Sequence, residues 1–330
     1  MEYRYAIIGC QHGHIALFLE EMQALGHECV GIYDSEPDYL ARTLAARFQV
    51  PLSADPVPLL ERADVIGCAA VNREKIDIVE LCEKYGKPVM LDKPAVISRE
   101  GLNRLEGVLN RGRIQVGMLL TERFRPSLVT LKHLIEEGQL GELVHIGMRK
   151  PHRLSPASRP AWFYEKERNG GLVVDLLIHD FDLLRWLTGA ECVSFQGYKG
   201  KKSHPDKPSF YDWASLEVQL SSRMSASLYT DWHTPEASWT WGDGRLFVTG
   251  TEGTAELRLE GDPLQSAPEL LLLVTNRNKL RTVPLREPAG TVTADFLVRI
   301  EGKGSLLTHG DLLTASRASL EADEAVRVLV

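Results

Sequence analysis

Apolar runs and amphipathic stretches alternate through the first 120 residues. Short runs rich in Ile, Val and Leu predict strands over 5–9, 28–34, 64–70, 88–94 and 114–119. Between them, apolar positions recur at helical spacing over 15–25, 37–47, 75–85 and 99–110. Strands that alternate with helices predict a parallel, doubly wound α/β sheet.

The pattern changes after residue 122. Helices are expected over 126–137, 291–301 and 308–323, a strand over 142–150, and a polar and aromatic loop over 151–169. Strands then come one after another over 191–200, 213–220, 224–232, 245–250, 254–259 and 269–276, several with strict alternation. Such a run predicts a large, mostly antiparallel mixed sheet. The division falls into residues 1–122 and 123–330. One face of the second sheet should pack on its own helices. The other has Leu216, Val218, Leu228 and Tyr229 among its candidates, and a partly apolar sheet face predicts pairing of copies into a homodimer or homotetramer.

One segment does not read as ordinary core. Residues 170–189 are expected to form a single helix, opened by two glycines and closed by Gly189. At about 100° per residue Asp175, His179 and Asp182 share one narrow face, while almost every other position is apolar. Buried polar groups are costly unless they are paired. The stripe is therefore either a structural network or acid–base machinery, a histidine whose charge is set by a nearby carboxylate.

Composition narrows the field. The 330 residues are 44% hydrophobic and 25% charged, with a formal net charge of −7, which argues against a general nucleic-acid binder. The longest apolar runs fall short of the ~18 residues of a membrane span, and the N-terminus lacks a signal-peptide pattern. The five cysteines are scattered, with no C-x-x-C pair, as expected of free thiols in a cytoplasmic protein.

The first strand ends in Gly9-Cys10-Gln11-His12-Gly13-His14, where a dinucleotide-binding fold turns tightly into a helix. A helix N-terminus there suits a pyrophosphate. Of the G-x-G-x-x-G fingerprint only Gly9 is present; Gln11 and His14 stand at the second and third glycine positions. Asp34, at the end of the second strand, is placed to accept from ribose hydroxyls and to repel a 2′-phosphate, so NAD is expected rather than NADP. His12 and His14 also read as a metal pair, which with His179 keeps a metal-dependent hydrolase open as an alternative. Asp92-Lys93-Pro94 closes the fourth strand, where a lysine can donate to a substrate oxygen or lose its proton when desolvated; the Lys93–Pro94 bond is expected to be cis.

Taken together these segments resemble the glucose–fructose oxidoreductase / inositol dehydrogenase family, Gfo/Idh/MocA. Asp92-Lys93-Pro94 stands where that family has Glu-Lys-Pro, and Gly170, Gly171, Asp175, His179 and Asp182 follow its G-G-G-x-x-x-D-x-G-x-H-x-x-D pattern. Residues 123–126 resemble its R-F-x-P, residues 137–142 its E-G-x-[IL]-G-E, and residues 248–253 its G-T-x-G turn. The chain departs from the family at the glycine-poor turn, at Asp92, at Ala70-Val71-Asn72 in place of T-P-N, at Lys75 in place of His, and at Leu177 in place of Gly.

The resemblance implies a Rossmann domain followed by an α/β domain, and an NAD(P)-dependent oxidoreductase acting on a sugar, polyol or related hydroxy compound. It implies Lys93 and His179 as proton-transfer residues, with Asp175 orienting His179. The cofactor is expected across Gly9, Gln11, His12, Gly13, His14, Asp34, Asn72 and Lys93. Substrate is expected in a cleft between the domains; its candidate contacts are Arg123, His152, Trp162 and His233. A non-catalytic dinucleotide or sugar sensor on the same fold is the nearer rival.

Overall fold

The computed structural model describes residues 2–36, 39–264 and 268–329. The N-terminal part alternates as expected, with the unexpected helix α3 added: β1 (Arg4–Cys10), α1 (Ile15–Ala24), β2 (Glu28–Tyr33), α2 (Tyr39–Phe48), α3 (Val57–Arg62), β3 (Val65–Ala69), α4 (Lys75–Lys84), β4 (Val89–Leu91), α5 (Arg99–Arg111) and β5 (Val116–Met118). Pro37 and Asp38, the expected start of α2, lie outside the described residues. The five strands are all parallel, in the order β2-β1-β3-β4-β5. A lone parallel bridge from Ile32 to Leu52 extends the sheet beyond β2. The chain therefore crosses the sheet in Rossmann order, with its third strand reduced to one bridge. Helix α1 buries Ile15, Phe18, Leu19 and Met22, the i, i+3, i+4, i+7 face that its periodicity predicts.

The rest of the chain is α6 (Pro126–Glu136), β6 (Leu143–Pro151), α7 (Lys166–Asn169), α8 (Leu172–Leu176), α9 (Ile178–Thr188), β7 (Cys192–Gly200), β8 (Trp213–Leu220), β9 (Ser225–Asp231), β10 (Arg245–Gly250), β11 (Gly253–Arg258), β12 (Leu270–Thr275), β13 (Arg281–Thr282), α10 (Val292–Ile300), α11 (His309–Ala325) and β14 (Arg327–Val328). Nine strands form one mixed sheet in the order β13-β12-β11-β10-β6-β9-β8-β7-β14. Most pairs are antiparallel; β6 with β9 and β14 with β7 are parallel.

Two compact units result. Residues 1–120, 167–170 and 290–317 make the parallel-sheet unit; residues 121–166, 171–289 and 318–330 make the mixed-sheet unit. A single cut at 122 misses the return of the C-terminal segment. The physical reason is that α10 and the start of α11 complete the core of the first unit. Phe296 packs beside Gly117, Arg299 donates to the carbonyl of Val116 at 2.7 Å, and His309 Nε2 accepts from the Val116 amide at 3.0 Å.

Register corrects the expectation for the outer sheet face. Leu216 pairs with Leu228, and both are buried with Val218 on the inner face. The outward row is Ser215, Glu217 and Gln219 on β8, facing Tyr229, Ser227 and Ser225 on β9, and is largely polar. Period-two alternation reveals two faces but not which one a tertiary neighbour covers.

Candidate active site

The turn after β1 is built around Gly9. Its φ of +85° is the left-handed region, and a Cβ there would come within 2.5 Å of Ala70 Cβ, so only glycine lets β1 pass the end of β3 this closely. This is the switch point of the sheet, where dinucleotides bind in such folds. The Gln11 amide N–H donates to the Ala69 carbonyl at 2.8 Å and closes the turn. Space is open around Gly13. Asp34 is buried at the end of β2 and accepts from three chain groups: the Cys10 amide at 2.6 Å, the Glu36 amide at 2.9 Å and Gln11 Nε2 at 2.6 Å. Gln11, at the second glycine position, thus lays its side chain on the carboxylate expected to meet the ribose. The close glycine turn, the open space at Gly13 and the carboxylate after β2 fit a dinucleotide, with Gln11 as the group that must turn aside.

Lys93 and Pro94 come after β4, and the bond between them is cis. Lys93 is only 5% exposed, so it is no ordinary surface lysine. Beneath it lies Lys75, fully buried. Its Nζ donates to the carbonyls of Asp92, Lys93 and Pro94 at 2.8, 3.2 and 3.1 Å and stands 3.7 Å from Asp92 Oδ2. The departures at 75 and 92 therefore compensate: the long lysine arm reaches the shortened carboxylate and holds the backbone under Lys93. Burial pushes the Asp92 carboxyl up, but Lys75, His12 and His14 outweigh it and hold the group well below the usual carboxylate range.

His12 and His14 meet there too. Each Nδ1 lies 2.9 Å from a different oxygen of Asp92. Burial, with His14 alongside, lowers the His12 imidazole to about 4. These three residues are the metal-capable cluster among the described residues, and their third member is Asp92 rather than His179. The Lys75 ammonium already supplies a cation to this carboxylate, which disfavours a second one. Asn72, buried after β3, donates to the Asn169 carbonyl at 2.8 Å.

In the mixed-sheet unit the expected single helix is broken. Residues 172–176 and 178–188 form separate helices that meet at Leu177, and Gly189 closes the second with φ +68°. Asp175 therefore ends one helix and His179 begins the next. Asp182 belongs to a different construction. It takes a two-pronged contact from Arg123, Nε to Oδ2 at 2.8 Å and NH2 to Oδ1 at 2.5 Å, with both residues buried. The Arg123 guanidinium also faces the Trp186 ring at 5.7 Å. The substrate expectation for Arg123 is thereby corrected: its charge serves a buried carboxylate, ties the 121–124 turn to α9 and is 2% exposed. Trp162 is likewise buried, packed on Phe163, and acts as a packing anchor. His152 is partly open, its Nδ1 3.0 Å from the Lys150 carbonyl and its ring edge-on to Trp232. His233 is 40% exposed and lies 3.3 Å from the buried Asp212.

Sequence reasoning did not single out four further groups. Arg159 lies over the rings of Phe163 at 4.3 Å and Trp232 at 5.1 Å. Burial lowers its pKa while the charge of Asp175 acts the other way. Glu122, Lys150 and Asp180 form a cluster in which Lys150 and Asp180 are buried and Glu122 is partly exposed. Lys150 Nζ is 3.3 Å from Glu122 Oε1 and 3.7 Å from Asp180 Oδ1. Burial pushes Asp180 up to about 7, against Lys150. It pushes Glu122 up as well, but Lys150, Arg125 and His179 together bring that carboxyl down to about 2. The sequence signal was a lone Asp beside His179 on an apolar helix, legible only once its tertiary neighbours are known.

A Rossmann-order sheet whose second strand ends in a buried carboxylate, followed by a large mixed sheet, defines a two-unit α/β protein. Residues 128–256 match the model of the GFO/IDH/MocA C-terminal domain. The chain is similar to inositol 2-dehydrogenase 2 of Saccharopolyspora erythraea, 26% identical over 202 residues, covering 60% of this chain and 57% of that protein. It is also similar to scyllo-inositol 2-dehydrogenase (NAD(+)) of Bacillus subtilis, 27% identical over 208 residues, covering 61% of this chain and 58% of that protein. The chain so spans less than two thirds of these relatives' lengths. A crystal structure of a candidate oxidoreductase from Erwinia carotovora atroseptica SCRI1043 superposes with a TM-score of 0.89 at 26% identity, covering 100% of both chains. Among the described residues no helix is long and apolar enough to cross a membrane.

Proposed function

We propose that this protein is a nicotinamide-dependent dehydrogenase that oxidises, or in reverse forms, a carbinol carbon of a small sugar, polyol or sugar acid. The observation that carries the reading is that one chain holds both a dinucleotide turn closed on Asp34 and two proton-transfer candidates, a buried Lys93 and a partly open His179. The names of the curated relatives, inositol dehydrogenases, support the substrate class. The nicotinamide supplies the hydride acceptor. The chain supplies the rest: His179 takes the hydroxyl proton, Asp175 keeps the imidazole oriented, and Lys93 is the second group able to move a proton. His152 and His233 are the substrate-side groups that remain partly open. A screen of polyols, sugars and sugar acids with NAD and NADP, read at the nicotinamide absorbance, tests the reading. No turnover with any of them, despite bound NAD(H), would favour the sensor.

The cofactor is assigned as NAD. A 2′-phosphate would meet the Asp34 carboxylate, and Ser35 and Glu36 offer no basic partner. NAD is expected to bind at least about tenfold more tightly than NADP, about 1.4 kcal/mol, and Asp34→Asn to narrow the ratio. Titration calorimetry with both cofactors checks this; tighter binding of NADP sinks it.

Copies of the chain are proposed to pair through the outer face of the nine-stranded sheet as a homodimer or homotetramer. The row on β8 and β9 is polar, but Val193, Tyr198 and Phe247 are about half exposed on β7 and β10. Light scattering should return a multiple of the 36.9 kDa chain mass. A monomer at micromolar concentration overturns the assignment.

A further inference from the structure

Gln11 stands at the second glycine position of the turn after β1, and its side chain reaches across to the end of β2. Its backbone lies outside the left-handed region, so the turn itself does not call for glycine there. Glycine at this position serves the close approach of the chain to a pyrophosphate. A side chain in its place does not strain the free protein; it meets whatever approaches the turn.

That side chain is held twice. Nε2 donates to Asp34 Oδ1 at 2.6 Å and to the Glu36 carbonyl at 3.1 Å, which engages both hydrogens of the carboxamide. The Asp34 carboxylate is in turn nearly filled by the chain. Oδ1 takes Gln11 and the Glu36 amide at 2.9 Å, and Oδ2 takes the Cys10 amide at 2.6 Å. A carboxylate offers about four acceptor positions, so about one is left. The Cys10 and Glu36 donors are backbone groups, fixed by β1 and by the turn that follows Asp34. The Gln11 carboxamide is carried on a partly exposed side chain. Of these three donors it is the one that can leave by rotation about side-chain bonds.

We propose that Gln11 is a clasp on the ribose carboxylate: it holds Asp34 until the cofactor arrives, swings away as NAD binds, and so sets the affinity for the dinucleotide. This rests on the reading that the turn takes NAD, and not on the chemistry that follows. A ribose hydroxyl donates to such a carboxylate, as the carboxamide does, and the two donors compete. Part of the interaction at the adenosine end is therefore spent on breaking two contacts, one of them to a charged acceptor.

The test is calorimetric titration of the full-length protein with NAD and with ADP-ribose, which carries the same adenosine ribose without the nicotinamide. In Gln11→Ala both should bind about three- to tenfold more tightly than in the parent chain. The free variant should melt at a lower temperature, since the clasp ties the ends of β1 and β2 together. Saturating NAD should then raise its melting temperature by more than it raises the parent's. If Gln11→Ala does not fold, Gln11→Met keeps the length of the side chain without its donors, and the same gain is expected. Unchanged binding overturns the proposal. So does weaker binding, which would make Gln11 a direct contact of the cofactor. A gain with NAD that is absent with ADP-ribose overturns it as well, because the obstacle then lies away from the ribose. The reading beneath it fails separately, if neither the parent nor the variant binds NAD or ADP-ribose at all.

Discussion

Turnover falls about 10²–10⁴-fold in His179→Ala and again in Lys93→Ala, the usual cost of removing a general acid–base group. Both variants should keep their fold and bind NAD, because neither residue supplies the turn at Gly9 or the carboxylate of Asp34. The lysine is 5% exposed and sits on a backbone clamped by Lys75, so its ammonium is held rather than free to wander. Asp175→Asn should cost less than loss of His179, since an amide still orients the ring although it no longer steadies its charge. Steady-state rates, circular dichroism and cofactor fluorescence in the same preparations check all three. Full activity in His179→Ala would assign the residue to structure instead.

Arg123→Ala should lose about 3–5 kcal/mol of stability, because it strands the Asp182 carboxylate in a site it cannot leave. Asp182 is 2% exposed, and its two oxygens each meet one prong of the guanidinium. Arg123→Lys should recover little, since a point charge cannot reproduce the planar fork. Replacing both partners by Met and Leu should recover most of the loss, as apolar groups leave no orphaned charge behind. Urea unfolding followed by far-UV circular dichroism measures each. A loss below about 1 kcal/mol in Arg123→Ala, the range of exposed pairs, would mean that water reaches Asp182.

Much of the architecture was legible because it rests on local periodicity. The strands and helices up to β5 arise from apolar runs alternating with helical spacing, and the later strands from period-two alternation. Gly9, Asp34 and Lys93 stood out as candidates because each lies at a strand end where its residue type has a specific use, and His179 because it shares a polar stripe in an otherwise apolar segment. Other features were not. Leu177 gives no sign in sequence that the helix breaks there; it is a good helix former overridden by its surroundings. Lys75 opens an expected helix with nothing in the sequence to mark it as buried, yet it is fully buried because three carbonyls and Asp92 converge on its ammonium.

By itself the sequence determined the order and kind of most elements, the change from alternating strands and helices to a strand-rich part, and a short list of candidates for moving a proton or holding a dinucleotide. These depend on interactions within a few residues, which a linear pattern records. The tertiary structure alone decided which candidates share a carboxylate: Arg123 with Asp182, His12 and His14 with Asp92, and Lys150 with Glu122 and Asp180. It also returned residues 290–317 to the first unit and turned Leu216, Val218 and Leu228 inward. Partners far apart in the chain are chosen by packing and by the cost of leaving a buried charge alone, and neither leaves a mark on the spacing of residues.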